Sequence, residues 1–408
     1  MDWTKSKGPG FPKMGNDHWS QNCPGLALKK QVEIFMRLPW VINSMKVAQE
    51  QIKKMLPVVL NSHKMPRSME KGLCSADDWT SGFFPGELWL MYEFTKNQYW
   101  KENAEIVTAF LKEQQYNTDD HDVGFRIFCS YGNGWLLTGN KEYEKIIVQA
   151  AYSLATRYNE KTKTILSWEP RSERDWKFPV IIDNMMNLEL LIKASKLSDN
   201  ERFKKIAVSH ADQTMKYHYR CDYSCSHVVD FDPKTGEFRK MDWNNGYSDP
   251  QVAAWSRGQG WGLYGFTMMY RETKDAKYLD HAEKIADFIL NHPKMPRDMV
   301  PYWDFSISRV PAVRDASAAA IMASALMELS TFSDNGIIYF EAGEKILKSL
   351  ASKEYLAANG TNGNYIIKHA TGNYLRESEV DGTLVFADYY FIEGLIRYSK
   401  LINKLPLY

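Results

Sequence analysis

The sequence has no long hydrophobic run and no excess of charge of either sign. No apolar stretch approaches the roughly 20 residues that a bilayer-spanning helix needs. The 51 Lys and Arg residues are balanced by 50 Asp and Glu residues, which leaves a net charge of +1. Because this balance gives no bulk attraction to nucleic acid or to an anionic membrane, we expect neither as a partner.

Cysteine is scarce, and several short motifs are missing. The five cysteines are an odd number, which excludes a framework in which every cysteine is paired. Cys221 and Cys225 have no second pair at metal-binding spacing, so we expect no metal site. Phosphate-cradling glycine motifs and a nucleophile elbow are also absent, and we expect no cofactor.

Helical periodicity dominates the chain after residue 25. Apolar residues recur at spacings of three and four in about twelve segments, many of them consecutive and joined by short turns. These segments are 31–60, 87–94, 99–115, 124–137, 141–158, 179–196, 200–217, 254–272, 276–292, 315–330, 336–351 and 388–404. Strand patterns are few: residues 227–232 predict one hairpin, and residues 365–367 and 383–385 are further candidates.

Helix pairs with longer loops at alternate joins favour a closed toroid of helical hairpins. A conventional solenoid is less favoured because the pairs show no sequence period. No low-complexity linker divides the chain. We therefore predict an extended arm over residues 1–25 and one all-α domain over residues 26–408.

Aromatic residues make up 13% of the chain, with 13 Trp and 23 Tyr. They either fill a large core or line a cleft that stacks on flat, weakly polar ligands such as sugar rings. Trp168 lies on a predicted loop and is a candidate wall of such a cleft.

Two aspartates are candidates for acid–base chemistry. Asp183 lies between isoleucines and a methionine pair, and an apolar setting raises the pKa of a carboxyl, which suits a general acid. The alternative is that Asp183 only favours the dipole of a helix start. Asp122 follows His121 at the mouth of a predicted helix, where it is either an N-cap or a desolvated carboxylate.

A histidine and an arginine are candidates for ligand binding. His227 opens the predicted hairpin, although a lone histidine is most often a surface or satisfied core residue. Arg257 lies between Trp255 and Trp261 at a glycine-rich helix start. This arrangement matches either a fork that binds a carboxylate beside stacking faces or a structural cation–π pair. Asp315 is interpreted as a helix cap.

Seven short motifs, in order, resemble those of the unsaturated glucuronyl hydrolases of glycoside hydrolase family 88. The likeness runs from about residue 30 to the C-terminus. The motifs are Asp-Trp-Thr-Ser-Gly-Phe-Phe-Pro-Gly-Glu-Leu-Trp from Asp78, His-Asp-Val-Gly-Phe from His121, Ile-Asp-Asn-Met-Met-Asn from Ile182, His227 ahead of Asp232-Pro233, Trp-Ser-Arg-Gly-Gln-Gly-Trp from Trp255, Pro-Tyr-Trp-Asp-Phe from Pro301 and Asp-Tyr-Tyr-Phe-Ile-Glu-Gly-Leu from Asp388.

The resemblance implies an (α/α)6 barrel and an unusual hydrolysis. The substrate would be the 4,5-unsaturated uronic acid at the non-reducing end of a lyase-generated glycosaminoglycan fragment of chondroitin, hyaluronan or heparin type. An acid protonates C4, water adds at C5, and the hemiketal rearranges to release the sugar. This route departs from the usual scheme of two carboxylates acting at the anomeric carbon.

The resemblance also implies roles for individual residues. It makes Asp183 the general acid/base and Asp122 the supporting catalytic carboxylate. Residues at positions that bind the uronate are His227, Arg257, Trp261 and Trp168, with His121 as a weaker match. Arg257 is the natural partner of the substrate carboxylate, and His227 is a second candidate. Asn245 stands near the reacting sugar, where many relatives carry Gln.

Three other functions compete with this hypothesis. The nearest is an unsaturated rhamnogalacturonyl hydrolase acting on pectin fragments. A sugar epimerase on the same barrel would need paired histidine bases, which the sequence does not reveal. A non-catalytic sugar-binding protein is the alternative outside enzymes. We expect a monomer or weak homodimer, periplasmic or secreted after removal of a leader peptide, with the cytoplasm as the alternative compartment.

Overall fold

A computed structural model describes residues 38–170, 174–242 and 252–408. Within these ranges the chain forms thirteen α-helices. They are α1 Pro39–Ser62, α2 Phe83–Thr95, α3 Gln98–Ala109, α4 Val123–Ile127, α5 Asn133–Thr138, α6 Lys141–Ala155, α7 Leu188–Ser198, α8 Glu201–Tyr217, α9 Ser256–Thr273, α10 Ala276–Asn291, α11 Ala316–Leu329, α12 Gly336–Leu350 and α13 Val385–Ile402. A π-helical turn, Phe128–Gly132, joins α4 to α5 in one rod, so the described rods number twelve, as the sequence predicts.

Six of these rods form a closed inner ring. Helix α2 contacts the α4–α5 rod, which contacts α7 and the 3-10 turn Ile182–Asn187 ahead of it. That turn and α7 contact α9, then α9 contacts α11, α11 contacts α13, and α13 returns to α2. Helices α3, α6, α8, α10 and α12 lie against successive members of the ring. This is the (α/α)6 barrel that the sequence predicts.

Burial patterns explain which helices lie inside. Every residue of α11 is buried, and six of its fourteen residues are alanine, which lets neighbouring helices approach closely. Outer helix α10 instead buries one face, formed by Tyr278, His281, Ala282, Ile285, Ala286 and Ile289. Their successive spacings of three, one, three, one and three form the stripe expected of an amphipathic helix that covers a core.

The strands are short and lie in loops between helices. They are β1 Met65–Ser68, β2 Gly72–Cys74, β3 Tyr158–Asn159, β4 Thr164–Ile165, β5 Pro179–Ile181, β6 Val228–Phe231 and β7 Phe238–Asp242. The hairpin predicted at 227–232 is confirmed as β6–β7, and β5 pairs antiparallel with β6.

Three local predictions need correction. The helix predicted over 179–196 is wrong at its start, because β5 and a 3-10 turn precede α7, which begins at Leu188. Residues 365–367 form only an isolated bridge, between Leu356 and Ile367. Residues 383–385 form no strand, since α13 begins at Val385.

The predicted N-terminal arm, residues 1–25, lies outside the described residues. Of the helix predicted from residue 31, the described part begins at Pro39. Proline suits a first helical turn because the N–H that it lacks would have no partner there. Among the described helices, none is long and apolar enough to cross a membrane.

Gly124 permits a close approach between α4 and the 3-10 turn Ile182–Asn187. A Cβ added at Gly124 would lie 2.5 Å from Asn187 Oδ1 and 2.6 Å from Asn187 Cα. Asn187 Oδ1 accepts a hydrogen bond from the Phe125 amide at 3.0 Å, and Asn187 Nδ2 donates to Asp122 Oδ1 at 3.4 Å. The missing side chain therefore brings the segments that carry Asp122 and Asp183 side by side.

We predict that Gly124→Ala lowers the free energy of unfolding in urea by about 1–3 kcal/mol, because the methyl group must displace the Asn187 backbone. The matched control is Gly382→Ala, where the nearest atom to an added Cβ is Val380 O at 3.9 Å. The control should change stability by less than about 0.5 kcal/mol. Equal stabilities for the two variants would contradict the close approach at Gly124.

Candidate active site

A cavity of about 350 Å³ opens at one end of the inner ring. Its volume lies in the range of pockets that bind small molecules. Its lining includes acids and a histidine, three arginines and six aromatic residues: Asp122, Asp183, His227, Arg67, Arg257, Arg376, Trp79, Trp168, Trp255, Trp303, Tyr374 and Phe386.

The cavity lies where the inner helices begin. Asp122 is at the start of α4, and Asp183 is in the turn ahead of α7. Arg257 is in the first turn of α9, and Phe386 is in the first turn of α13. Helix N-termini carry partial positive charge and unpaired N–H groups, so several of them converging on one cavity favour an anionic ligand.

Asp183 is largely buried, and one of its carboxyl oxygens accepts no hydrogen bond from the described residues. Its side chain is 14% exposed, and its Oδ2 is buried with no hydrogen-bond partner among the described residues. Burial raises the pKa of Asp183 to about 6; the charge of Asp122 adds to the rise, while His121 and Arg257 oppose it. A carboxyl with this pKa and no donor on one oxygen can hold a proton near neutral pH and deliver it into the cavity.

Asp122 is held by neighbouring side chains. It occupies the N-cap position of α4 but makes no capping hydrogen bond, so the interpretation as a cap does not describe its side chain. Its Oδ1 accepts from Asn187 Nδ2 at 3.4 Å and lies 3.4 Å from His121 Nε2. Burial, and then the charge of Asp120, raises the pKa of Asp122 to about 7. Asp122 is therefore a second perturbed carboxyl in the same cavity.

His121 and His227 each lie beside one of the two acids. His227 Nε2 lies 3.6 Å from Asp183 Oδ2, and the His227 ring lies 4.6 Å from the Trp255 ring. Burial lowers the pKa of His121 to about 4 and that of His227 to about 3. Both imidazoles are therefore neutral at physiological pH, so each meets its aspartate as a dipole and not as a cation.

Arg257 has features of both predicted roles, the carboxylate-binding fork and the structural cation–π pair. It lines the cavity, but its NH1 lies 2.7 Å from Asp315 Oδ2, and its NH2 donates to Gly372 O at 2.5 Å. Its guanidinium also lies 4.4 Å from the Trp255 ring, as a cation–π pair. Asp315 caps α11 through the amides of Ser317 and Ala318, as predicted, and also neutralises Arg257.

The two predicted tryptophans differ in position. Trp168 lies on the cavity wall, with its ring 6.3 Å from His121 and 6.1 Å from Trp176. Trp261 is not on the wall: it has no exposed surface and packs 5.3 Å from the Phe125 ring. Trp261 lies one helical turn after Arg257, and its contact with the ligand stays a prediction.

Two further predictions concern Asn245 and metal binding. Asn245 lies outside the described residues. Within the described ranges, no group of three or more His, Cys, Asp or Glu side chains could hold a metal ion.

Sequence reasoning did not select several wall residues. Trp79 and Trp303 lie on loops that the motifs mark as aromatic and acidic, so those loops carried a usable signal. Arg67 and the segment around Tyr374 gave none, since a lone arginine on a short strand and an irregular loop have no periodicity to read. Only their contacts across the fold bring them to the cavity.

Comparison with known proteins identifies the family of this chain. The family model described as Glycosyl Hydrolase Family 88 matches residues 47–392. An unsaturated glucuronyl hydrolase of Formosa agariphila is 41% identical over 87% of this chain and 90% of its own. An unsaturated chondroitin disaccharide hydrolase of Streptococcus pneumoniae is 32% identical over 79% of this chain and 82% of its own.

Solved structures extend the likeness to the whole barrel. A crystal structure of an unsaturated glucuronyl hydrolase specific for heparin is 44% identical, with a TM-score of 0.85, over 90% of this chain and 99% of its own. A variant of the Streptococcus agalactiae enzyme, solved with the disaccharide dGlcA-GalNAc6S, is 26% identical, with a TM-score of 0.73, over 88% of this chain and 91% of its own. The chain therefore belongs to glycoside hydrolase family 88 and is a glycosidase, as its seven motifs imply.

Proposed function

We propose that this protein removes the 4,5-unsaturated uronic acid from the non-reducing end of lyase-generated glycosaminoglycan oligosaccharides by hydrating the C4=C5 bond. The proposal rests on Asp183, which lines a cavity at converging helix N-termini. This carboxyl is buried, its pKa is raised, and its Oδ2 has no hydrogen-bond partner among the described residues. The family relatives named for glucuronyl and chondroitin disaccharide substrates support the choice of substrate.

The uronate carboxylate is an anion, and the cavity offers it the guanidinium of Arg257 and the starts of several inner helices. Asp315 already balances the charge of Arg257, so that guanidinium binds the ligand through its remaining donor capacity. The helix N-termini add positive potential, and the neutral imidazole of His227 can donate one N–H. Moderate attraction of this kind holds a charged sugar and still allows the product to leave.

The proposed reaction begins with proton transfer from Asp183 to C4 of the vinyl ether. Positive charge then develops at C5, where the ring oxygen stabilises it. Water attacks C5 and returns its proton to the Asp183 carboxylate, which restores the acid. The C5 hemiketal opens to a ketone, the resulting hemiacetal at C1 breaks down, and the remaining sugar is released.

Asp122 supports this proton transfer by its charge. The pKa of Asp122, about 7, lies above that of Asp183, about 6, so burial alone would leave a shared proton on Asp122. Asn187 donates to Asp122 and stabilises its ionised form, whereas Asp183 Oδ2 has no such donor among the described residues. We therefore assign the proton to Asp183 and the negative charge to Asp122, because a hydrogen-bond donor stabilises the ionised form of Asp122.

An epimerase is less well supported by the same site. That reaction needs basic side chains that remove a proton from a ring carbon. His227 in the cavity and His121 beside Asp122 have pKa values lowered to about 3 and about 4, which makes them weak bases.

The first test measures activity on a panel of unsaturated disaccharides. Each reaction is monitored through the loss of ultraviolet absorbance of the conjugated double bond. Because the 44% identical relative is described as specific for heparin, we expect heparin-type disaccharides to react fastest. We expect pectin-type unsaturated rhamnogalacturonan disaccharides to react at least about tenfold more slowly in kcat/KM. Equal or faster reaction of the pectin type would support the rhamnogalacturonyl alternative, and binding without turnover of any disaccharide would support a sugar-binding protein.

Asp183→Asn should abolish activity and at the same time stabilise the protein at high pH. Burial raises the pKa of Asp183 from 3.8 to about 6, so ionising it disfavours the folded state. Its contribution to folding is full below about pH 4 and is lost as the pH rises through about 6. A rise of this size corresponds to at most about 3 kcal/mol. The gain in melting temperature of the variant over wild type should therefore grow from about pH 4 to about pH 6 and level off between pH 7 and pH 8.

Asp122→Asn should also lose turnover, by at least about 100-fold in kcat. The matched control is Asp119→Asn, an exposed aspartate three residues earlier in the same loop, which should keep wild-type activity and stability. Near-normal turnover by Asp183→Asn would refute the assignment of the acid, and a stability difference that is independent of pH would refute its buried ionisation.

A further inference from the structure

Residues Gly372–Glu379, here called the rim segment, form one side of the cavity mouth. All of them except Glu377 line the cavity. Tyr374 and Arg376 are exposed, whereas the side chains of Asp122 and Asp183 are 18% and 14% exposed. The rim segment therefore lies further from the cavity floor than the two acids do.

The rim segment has little regular structure of its own. It contains one 3-10 turn, Tyr374–Arg376. Its two ends are joined by backbone hydrogen bonds from Gly372 N to Glu379 O at 2.7 Å and from Asn373 N to Ser378 O at 2.8 Å. Arg257 NH2 holds the start of the segment by donating to Gly372 O, and Tyr374 in its middle stacks on Trp303 with ring centroids 4.7 Å apart. The far end of the segment, at Glu379, has a separate attachment.

Arg67, on strand β1, supplies that attachment. Its Nε and NH2 donate to Glu379 Oε1 and Oε2, each at 3.0 Å, in the bidentate geometry typical of an arginine–carboxylate pair. Glu70 strengthens the same contact by accepting the Glu379 amide at 2.5 Å. The side chains of Arg67 and Glu379 are only 26% and 6% exposed, so this pair is better shielded from solvent than a surface salt bridge.

The same guanidinium also reaches a second wall of the cavity. Arg67 NH1 lies 2.6 Å from Asp78 Oδ2, and Asp78 Oδ1 accepts the Thr80 amide at 2.9 Å. Trp79, between these two residues, lines the cavity, and its ring lies 5.0 Å from that of Phe386. One arginine thus fixes the rim segment and the Trp79 loop relative to each other.

We infer that Arg67 is a positioning residue for the sugar that leaves, acting through the rim segment. This inference rests on the proposed function, which puts the unsaturated uronate beside Asp122 and Asp183 and sends the rest of the substrate out past the mouth. Neither acid forms a hydrogen bond or ion pair with Arg67 in the described chain. Loss of Arg67 therefore weakens binding of the leaving sugar and leaves the proton transfer in place.

The kinetic test compares two substrates, an unsaturated disaccharide and the methyl glycoside of the same unsaturated uronic acid. For Arg67→Met, KM for the disaccharide should rise about tenfold or more, while kcat stays within about threefold. The methyl glycoside has no second sugar, so both of its constants should change less than about twofold. Arg67→Lys keeps the charge but not the bidentate geometry, and should fall between wild type and Arg67→Met.

Two further variants separate the attachment from a general loss of stability. Glu379→Gln should reproduce the rise in KM, and the double variant with Arg67→Met should be no worse than either single variant. Lys277→Met is the matched control, because Lys277 bridges Asp212 and Asp275 with no contact to the cavity lining. This control should keep wild-type constants for both substrates.

Hydrogen exchange followed by mass spectrometry tests the attachment without any substrate. The peptide that covers the rim segment should exchange faster in Arg67→Met and Arg67→Lys than in wild type, and at the wild-type rate in Lys277→Met. Unchanged exchange overturns the inference, as does an equal rise in KM for the disaccharide and the methyl glycoside. If wild type leaves every unsaturated substrate intact, the proposed function fails, and the exchange rates still decide whether Arg67 holds the rim segment.

Discussion

The site depends on one constraint, which is that the helices of the inner ring begin at the same end of the barrel. Each of these starts leaves unpaired backbone N–H groups and partial positive charge near the cavity. The residues just before or within the first turns are the ones that line it, including Asp122, Asp183, Arg257 and Phe386. The outer helices contribute mainly by covering the ring, so function is concentrated where the inner helices start.

The cavity and the residues beside its acids carry groups that are costly to bury. One oxygen of Asp183 has no donor in the described part of the chain, and His121 and His227 are held neutral by burial. Such groups lower stability wherever the pH favours their charged forms. Arg257 is the contrasting case, since Asp315 compensates its charge and fixes its orientation. Arg257, which shapes the wall, thus has a partner for its charge, whereas Asp183, which must exchange a proton, has no donor to its Oδ2 among the described residues.

The sequence predicted the barrel well because helical periodicity is local, and twelve rods could be counted from apolar spacing alone. It predicted the surroundings of Asp183 less well. Strand β5 has three residues and forms through pairing with β6, almost fifty residues later, so its pattern looked like part of the following helix. Asp122 was located by its motif, but its partner Asn187 was not, because that contact depends on the close approach at Gly124.

Trp261 lies in a motif and Arg67 lies in none, and in neither case does the motif specify the position of the side chain. Trp261 follows Arg257 by one helical turn, yet it has no exposed surface and packs beside Phe125 and Phe386. Arg67 has no motif, yet it holds two walls together through Glu379 and Asp78. Depth along a helix and contacts between distant loops are three-dimensional properties, and a pattern of residue types does not specify them.

The central claim is that the enzyme adds water across C4=C5 with Asp183 as the proton donor. Proton NMR of the reaction in deuterated water tests it most directly. The account predicts that the vinyl H4 signal disappears at the rate at which the leaving sugar is released, with one deuterium added to a single face of C4, and that Asp183→Asn shows neither change. Release of a sugar acid that keeps its vinyl H4 signal would mean displacement at the anomeric carbon and would contradict the account.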